Sequence, residues 1–156
     1  MLNKIKHIEV KNVVIDTESG LEKEVVTSYP LAFTLNVMER IQDEFGSFDG
    51  WADTIQPTEK VINKETEEVE IDEKGNEITK ALEPKVKYII WTFKEFINEG
   101  IKIENRNKTI KLPLLTHEEI GWLISDAGLQ NVIKAIKEVT AGSVGEKSPN
   151  VETAQV

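Results

Sequence analysis

Val86-Lys87-Tyr88-Ile89-Ile90-Trp91-Thr92-Phe93-Lys94-Glu95-Phe96-Ile97-Asn98-Glu99-Gly100 is the stretch that decides the fold. Val86, Ile89, Ile90, Phe93 and Ile97 recur at three- and four-residue spacing, which marks one face of an amphipathic helix. Pro84 suits its first position, and Gly100 is expected to stop it. Tyr88, Trp91 and Phe96 fall off the stripe. The apolar arc is therefore wide, and this central helix should meet more than one neighbour, inside the domain or outside it.

Toward the N-terminus, Leu35, Met38, Ile41 and Phe45 form a second helical stripe, with Asn36 as expected N-cap, Glu39 completing a capping-box spacing and Gly46 as the left-handed stop. Ser47 can then cap a short helix through Trp51 and Ile55, with Pro57 beyond it. Two β-rich runs precede these helices, residues 8–15 and 24–28, separated by Asp16-Thr17-Glu18-Ser19-Gly20. They read as a hairpin that ends at Tyr29-Pro30. Val13, Val14 and Ile15 are consecutive, so that strand is covered on both faces or bulges.

Residues 58–83 are dominated by acidic side chains, with sparse apolar positions at Val69, Ile71 and Ile78. They read as a charged insertion, either a solvated hairpin turning at Lys74-Gly75-Asn76 or a mobile loop. Toward the C-terminus, Thr116 and Glu119 repeat the capping-box spacing before Ile120, Leu123, Ile124 and Ala127. A last stripe, Leu129, Val132, Ile133, Ile136 and Val139, should end at Gly142, and residues 142–156 read as a disordered tail. The resulting expectation is an α+β fold with a mainly helical core of about four helices, an N-terminal β-hairpin and the charged insertion. It forms a single globular domain over residues 1–141.

Composition narrows the function. A chain of 156 residues with 39% hydrophobic and 30% charged content can bury one core without staples. Acidic residues outnumber basic ones 28 to 19, for a net charge of -9, which argues against a nucleic-acid partner. The scattered positive charges argue against DNA mimicry as well. Cysteine is absent, which removes thiolate chemistry, and no apolar run has the length of a membrane span or a signal h-region. A cytoplasmic location fits best.

No catalytic, cofactor or metal site emerges from the motifs. His117-Glu118-Glu119-Ile120-Gly121 has glycine where a zinc-protease helix needs its second histidine, so His117 reads as a solvated first-turn residue. His7 has no cluster around it. Phosphate-cradling glycine loops are missing, and Glu95 and Glu99 read as an exposed pair one turn apart. Trp51, Trp91 and Trp122 are core residues or partner anchors, as are Tyr88 and Phe96. The width of the central helix favours the anchor role most for Trp91 and Phe96.

Tyr29-Pro30-Leu31-Ala32-Phe33-Thr34-Leu35-Asn36, leading into Ile41-Gln42-Asp43-Glu44-Phe45-Gly46-Ser47, resembles the opening of the tail assembly chaperones of tailed phages and prophages. Trp91 to Ile101 resembles that family's central helix and its exit, and Leu115-Thr116 through Gly128-Leu129 resembles its closing helix pair. The resemblance covers most of residues 29 to 140. It implies a protein without enzymatic activity or cofactor that coats the tape measure protein before tail tube subunits polymerise around it. It further implies self-association along that client and a longer frameshifted form joined through the tail. A structural tail component, such as a tube-end or joining protein, is the alternative. A small enzyme or host-directed inhibitor is the third reading.

Overall fold

In the computed structural model, which describes residues 5–141, the N-terminal hairpin is longer than the β-rich runs suggest. β1 (Ile5–Ile15) pairs antiparallel with β2 (Glu22–Ala32) in an unbroken register from Ile5 opposite Ala32 to Ile15 opposite Glu22. Pro30 lies inside β2 rather than ending it. A two-stranded sheet leaves each strand an open edge, so a residue without an N–H is accommodated there. Asp16 organises the turn: its Oδ1 accepts the N–H groups of Glu18 and Ser19, and Gly20 takes a positive φ of 70°.

Five helices follow in the described residues, and the fold is α+β with a helical core. α1 spans Leu35–Phe45 and α2 Phe48–Ile55. α3 spans Val86–Asn105, α4 His117–Ala127 and α5 Leu129–Thr140. The described chain divides into two compact units, one up to Arg40 and from Ile90 onward, the other Ile41–Ile89. The division falls inside α1 and α3.

In the first unit, β1 lies against α4 and α5, and β2 against α5. Phe33 and Phe96 stack with centroids 5.6 Å apart, and Phe93, Ile97 and Ile101 continue the buried face of α3. The stripes of α4 (Ile120, Leu123, Ile124) and α5 (Val132, Ile133, Ile136, Val139) are buried as their spacing predicts. The Thr116–Glu119 capping box is present, with both reciprocal hydrogen bonds made.

Gly100 does not stop α3, which runs five residues further. It is the point where the helix meets β2: a Cβ there would lie 2.5 Å from the Pro30 carbonyl oxygen and 2.7 Å from its carbon. The glycine is a close-approach residue, not a cap. α1 is capped by Thr34, whose Oγ1 accepts the Val37 N–H at 3.3 Å, and not by Asn36. The expected helix end at Gly142 and the tail 142–156 lie outside the described residues.

In the second unit, Ser47 caps α2 through the Gly50 N–H, and Trp51 and Ile55 are buried. The acidic insertion takes the hairpin option. β3 (Thr58–Lys60) pairs with β4 (Thr79–Ala81), and beyond them Ile62 bridges Val69 and Ile71 bridges Glu77. Asp72 closes the last turn by accepting the N–H groups of Lys74 and Asn76 on Oδ1. Its side chains are largely exposed, so backbone pairing and Asx turns hold the insertion together rather than a core of its own.

Candidate functional site

The five aromatic anchor candidates separate by burial. Phe96 is 0% exposed and stacks on Phe33, and Trp51 is buried with its ring 5.1 Å from that of Phe48. Both are core residues, which corrects the partner-binding assignment for them. Phe33 covers α3 at Phe96, at the edge of the stripe beside Ile89. Tyr88 is half-buried, edge-on to Phe45 at 5.6 Å, and Trp91 is half-buried as well. Trp122 is the exception, 61% exposed on the side of α4 away from Ile120 and Ile124.

Exposed apolar residues gather at two places that the sequence does not single out as surfaces. The first is the distal half of the hairpin. Val10 is the last buried residue of β1, and beyond it Val13, Val14, Ile15, Leu21 and Val26 are exposed. The triplet Val13-Val14-Ile15 is therefore neither covered on both faces nor bulged. Register puts Val13 and Ile15 on one face with Val26, because Lys11 pairs with Val26, Val13 with Glu24 and Ile15 with Glu22. That face alternates apolar side chains with Lys11, Glu22 and Glu24.

The second is the connection from α3 to α4. Asn98 grips the Leu115 backbone at both ends, its Oδ1 accepting the N–H at 2.8 Å and its Nδ2 donating to the carbonyl at 3.0 Å. Asn105 grips Leu112 in the same way, at 2.9 Å for each bond. Seven helical residues rise about 10.5 Å, and three extended residues span about 10 Å. The two clamps therefore hold residues 112–115 extended and antiparallel to α3. Leu112 and Leu114 fall on the same side by strand alternation and are exposed, and Ile110 before them is 84% exposed.

The polar interior of the first unit centres on Glu99, whose side chain is only 5% exposed. Arg40 donates from Nε to Glu95 at 2.6 Å and from its terminal nitrogen to Glu99 at 3.4 Å. Thr34 Oγ1 and Asn36 Nδ2 both donate to Glu99 Oε2. Glu95 and Glu99 are thus not an exposed pair; they anchor the start of α1 to α3 through a shared guanidinium. With its oxygens occupied by these donors, Glu99 is held in a structural network.

His117 sits exposed at the first turn of α4, and His7 Nε2 is 3.0 Å from Glu104 Oε2. Among the described residues, no group of three or more His, Cys, Asp or Glu side chains is arranged to hold a metal ion, and no helix is long and apolar enough to cross a membrane. Comparison with protein-family models, curated proteins and solved structures gives no match to this chain.

Proposed function

We propose that this chain is a tail assembly chaperone of a tailed phage or prophage, which binds the tape measure protein in the bacterial cytoplasm and keeps it soluble until the tail tube encloses it. The observation that carries the reading is the distal hairpin. It presents Val13, Ile15 and Val26 on one uncovered face, with Leu21 exposed at the turn. Exposed apolar groups set among charges suit a protein that holds a long apolar client by many weak contacts without becoming insoluble itself. The helical order and the phrases around Tyr29–Gly46 and Trp91–Ile101 support the same reading through their resemblance to that family.

Co-expression with the tape measure protein encoded by the same phage tests it. The chaperone should raise the soluble fraction of the client and co-purify with it. Replacing Val13, Ile15 and Val26 together by Ser should abolish both effects while leaving the circular dichroism spectrum unchanged. Mass spectrometry of purified particles should find no copy of the chain, because a chaperone departs before the virion is complete. A stoichiometric copy there, with no effect on client solubility, would establish the structural-component reading instead.

A further inference from the structure

Residues 112–133 contain no Lys and no Arg, and their acidic side chains are Glu118, Glu119 and Asp126. α4 runs through this stretch, with Trp122 61% exposed on the side away from buried Ile120 and Ile124. Side chains three and four residues apart on a helix are neighbours, with Cβ atoms about 5–6 Å apart. For Trp122 those neighbours are Glu118 and Glu119 on one side and Ser125 and Asp126 on the other. Three carboxylates therefore surround the indole, and α4 brings no cation to it.

A ring in these surroundings is half of a contact. The face of an indole is electronegative and attracts a cation within about 6 Å of its centroid, and carboxylates beside the ring add to that pull. Tyr88 draws such a cation from its own neighbour, with Lys87 Nζ 4.8 Å from the ring centroid. Trp122 has none: among the described residues its ring stacks on no other ring and lies under no cation. Glu118 and Asp126 enter no ion pair among the described residues, and Glu119 accepts the Thr116 N–H in its capping box.

We propose that this face of α4 docks an arginine of another protein. The guanidinium stacks on the Trp122 indole and donates from its edges to Glu118 on one side and Asp126 on the other. Arginine fits better than lysine. Its planar, weakly hydrated group lies on a ring and still presents N–H donors in its own plane, whereas an ammonium is a compact, strongly hydrated charge. The occupant is a side chain carried on a protein surface rather than a free small cation, because small ligands take concave sites and Trp122 stands on an open helix face. Trp and Arg are also the residue types that anchor protein interfaces most often. The site does not depend on what the distal hairpin holds.

The full-length chain labelled with nitrogen-15 tests it, because each tryptophan gives its own indole N–H signal in the NMR spectrum. Trp122 is identified by the signal that Trp122→Leu removes. The probe is a blocked alanine-rich peptide with Arg at every fourth position, compared with the same peptide carrying Lys or Glu instead. At about 0.1 M salt, where charges are screened beyond ~10 Å, the Arg peptide should shift the Trp122 signal saturably. The signal of buried Trp51 should stay in place. The Lys peptide should bind more weakly, and the Glu peptide not at all.

Trp122→Leu leaves the net charge unchanged and should raise the dissociation constant of the Arg peptide, measured by calorimetry, about fivefold. Glu118→Gln with Asp126→Asn should raise it about fivefold as well, whereas Glu65→Gln with Glu73→Gln, the same loss of charge on the insertion, should leave it within about twofold. Trp122 and these four acids are exposed, and Glu119 is kept for its cap, so all the variants should keep the circular dichroism spectrum of the parent. Equal losses for the two double variants would reduce the binding to net charge and overturn the inference. A Trp122→Leu chain that binds as the parent does, or a Lys peptide that matches the Arg peptide, would overturn it too. So would a Trp122 signal that stays in place, or one that already shifts on dilution of the chain alone, which would give the face to a second copy.

Discussion

The same substitution, Gly to Ala, should have opposite signs at two positions in this protein. In an exposed helix interior the change is worth about 1 kcal/mol in favour of the folded state, since Ala restricts the unfolded chain and suits the helix. At Gly121 in α4 a Cβ meets nothing within 4 Å, so the whole gain should appear. At Gly100 the Cβ would lie 2.5 Å from the Pro30 oxygen, and ordinary contact begins at 3.4 Å. α3 and β2 would have to part by roughly 0.9 Å, the difference of those two distances, and the obstacle is backbone that cannot rotate away. Overpacking of this kind costs about 1–3 kcal/mol and occasionally more, and here it would open the joint beside Phe33 and Phe96. Set against the helical gain, Gly100→Ala should destabilise by up to about 2 kcal/mol, some 1–3 kcal/mol below Gly121→Ala. Urea unfolding followed by far-ultraviolet circular dichroism measures both variants. If Gly100→Ala matches or exceeds Gly121→Ala in stability, the close approach of α3 to β2 is refuted.

Arg40→Ala should destabilise by about 1–3 kcal/mol in the same assay, because it strands the buried Glu99 carboxylate without its cation; the partial exposure of Arg40 keeps the loss below that of a fully buried pair. Asn98→Ala should cost about 1–3 kcal/mol by orphaning the Leu115 N–H and carbonyl. It should also speed proteolysis within residues 106–115, which limited digestion detects. Phe96→Ala should cost about 3–5 kcal/mol, as expected for a core aromatic, whereas Trp122→Ala should stay within about 0.5 kcal/mol of the parent. Equal losses for those two would contradict the burial that separates them.

Much of the fold is legible because local chemistry and packing agree. The Thr116–Glu119 box, Ser47 before Trp51, and the periodic stripes of α4 and α5 each admit one reading, and each element forms where that reading places it. Gly100 misleads because a glycine that ends a helix and one that lets a strand approach look alike until the strand is in place. Pro30 misleads in the same way: a two-stranded sheet tolerates it, and a wider one would not. Phe96 reads as a surface anchor only while Phe33, 63 residues earlier in the chain, is not seen to stack on it.

The exposed surfaces were the least legible part. Ile110-Lys111-Leu112-Pro113-Leu114 has an alternating pattern that sequence reading passes over as a connection between helices. What makes it a defined surface is two asparagine side chains, seven residues apart on α3, that pair with its backbone. Val14 shares the face of Val10 yet is exposed beyond it, while Val13 and Ile15 lie on the opposite face with Lys11 and Glu24, and no local signal carries that information.

The proposed chaperone function is tested most directly by co-expression with a phage tape measure protein, its proposed client. The parent chain should move the client into the soluble fraction and purify with it. The Val13, Ile15 and Val26 serine variant, folded to the same degree, should do neither. A client that stays insoluble beside the parent chain, with no complex recovered, would contradict the chaperone function.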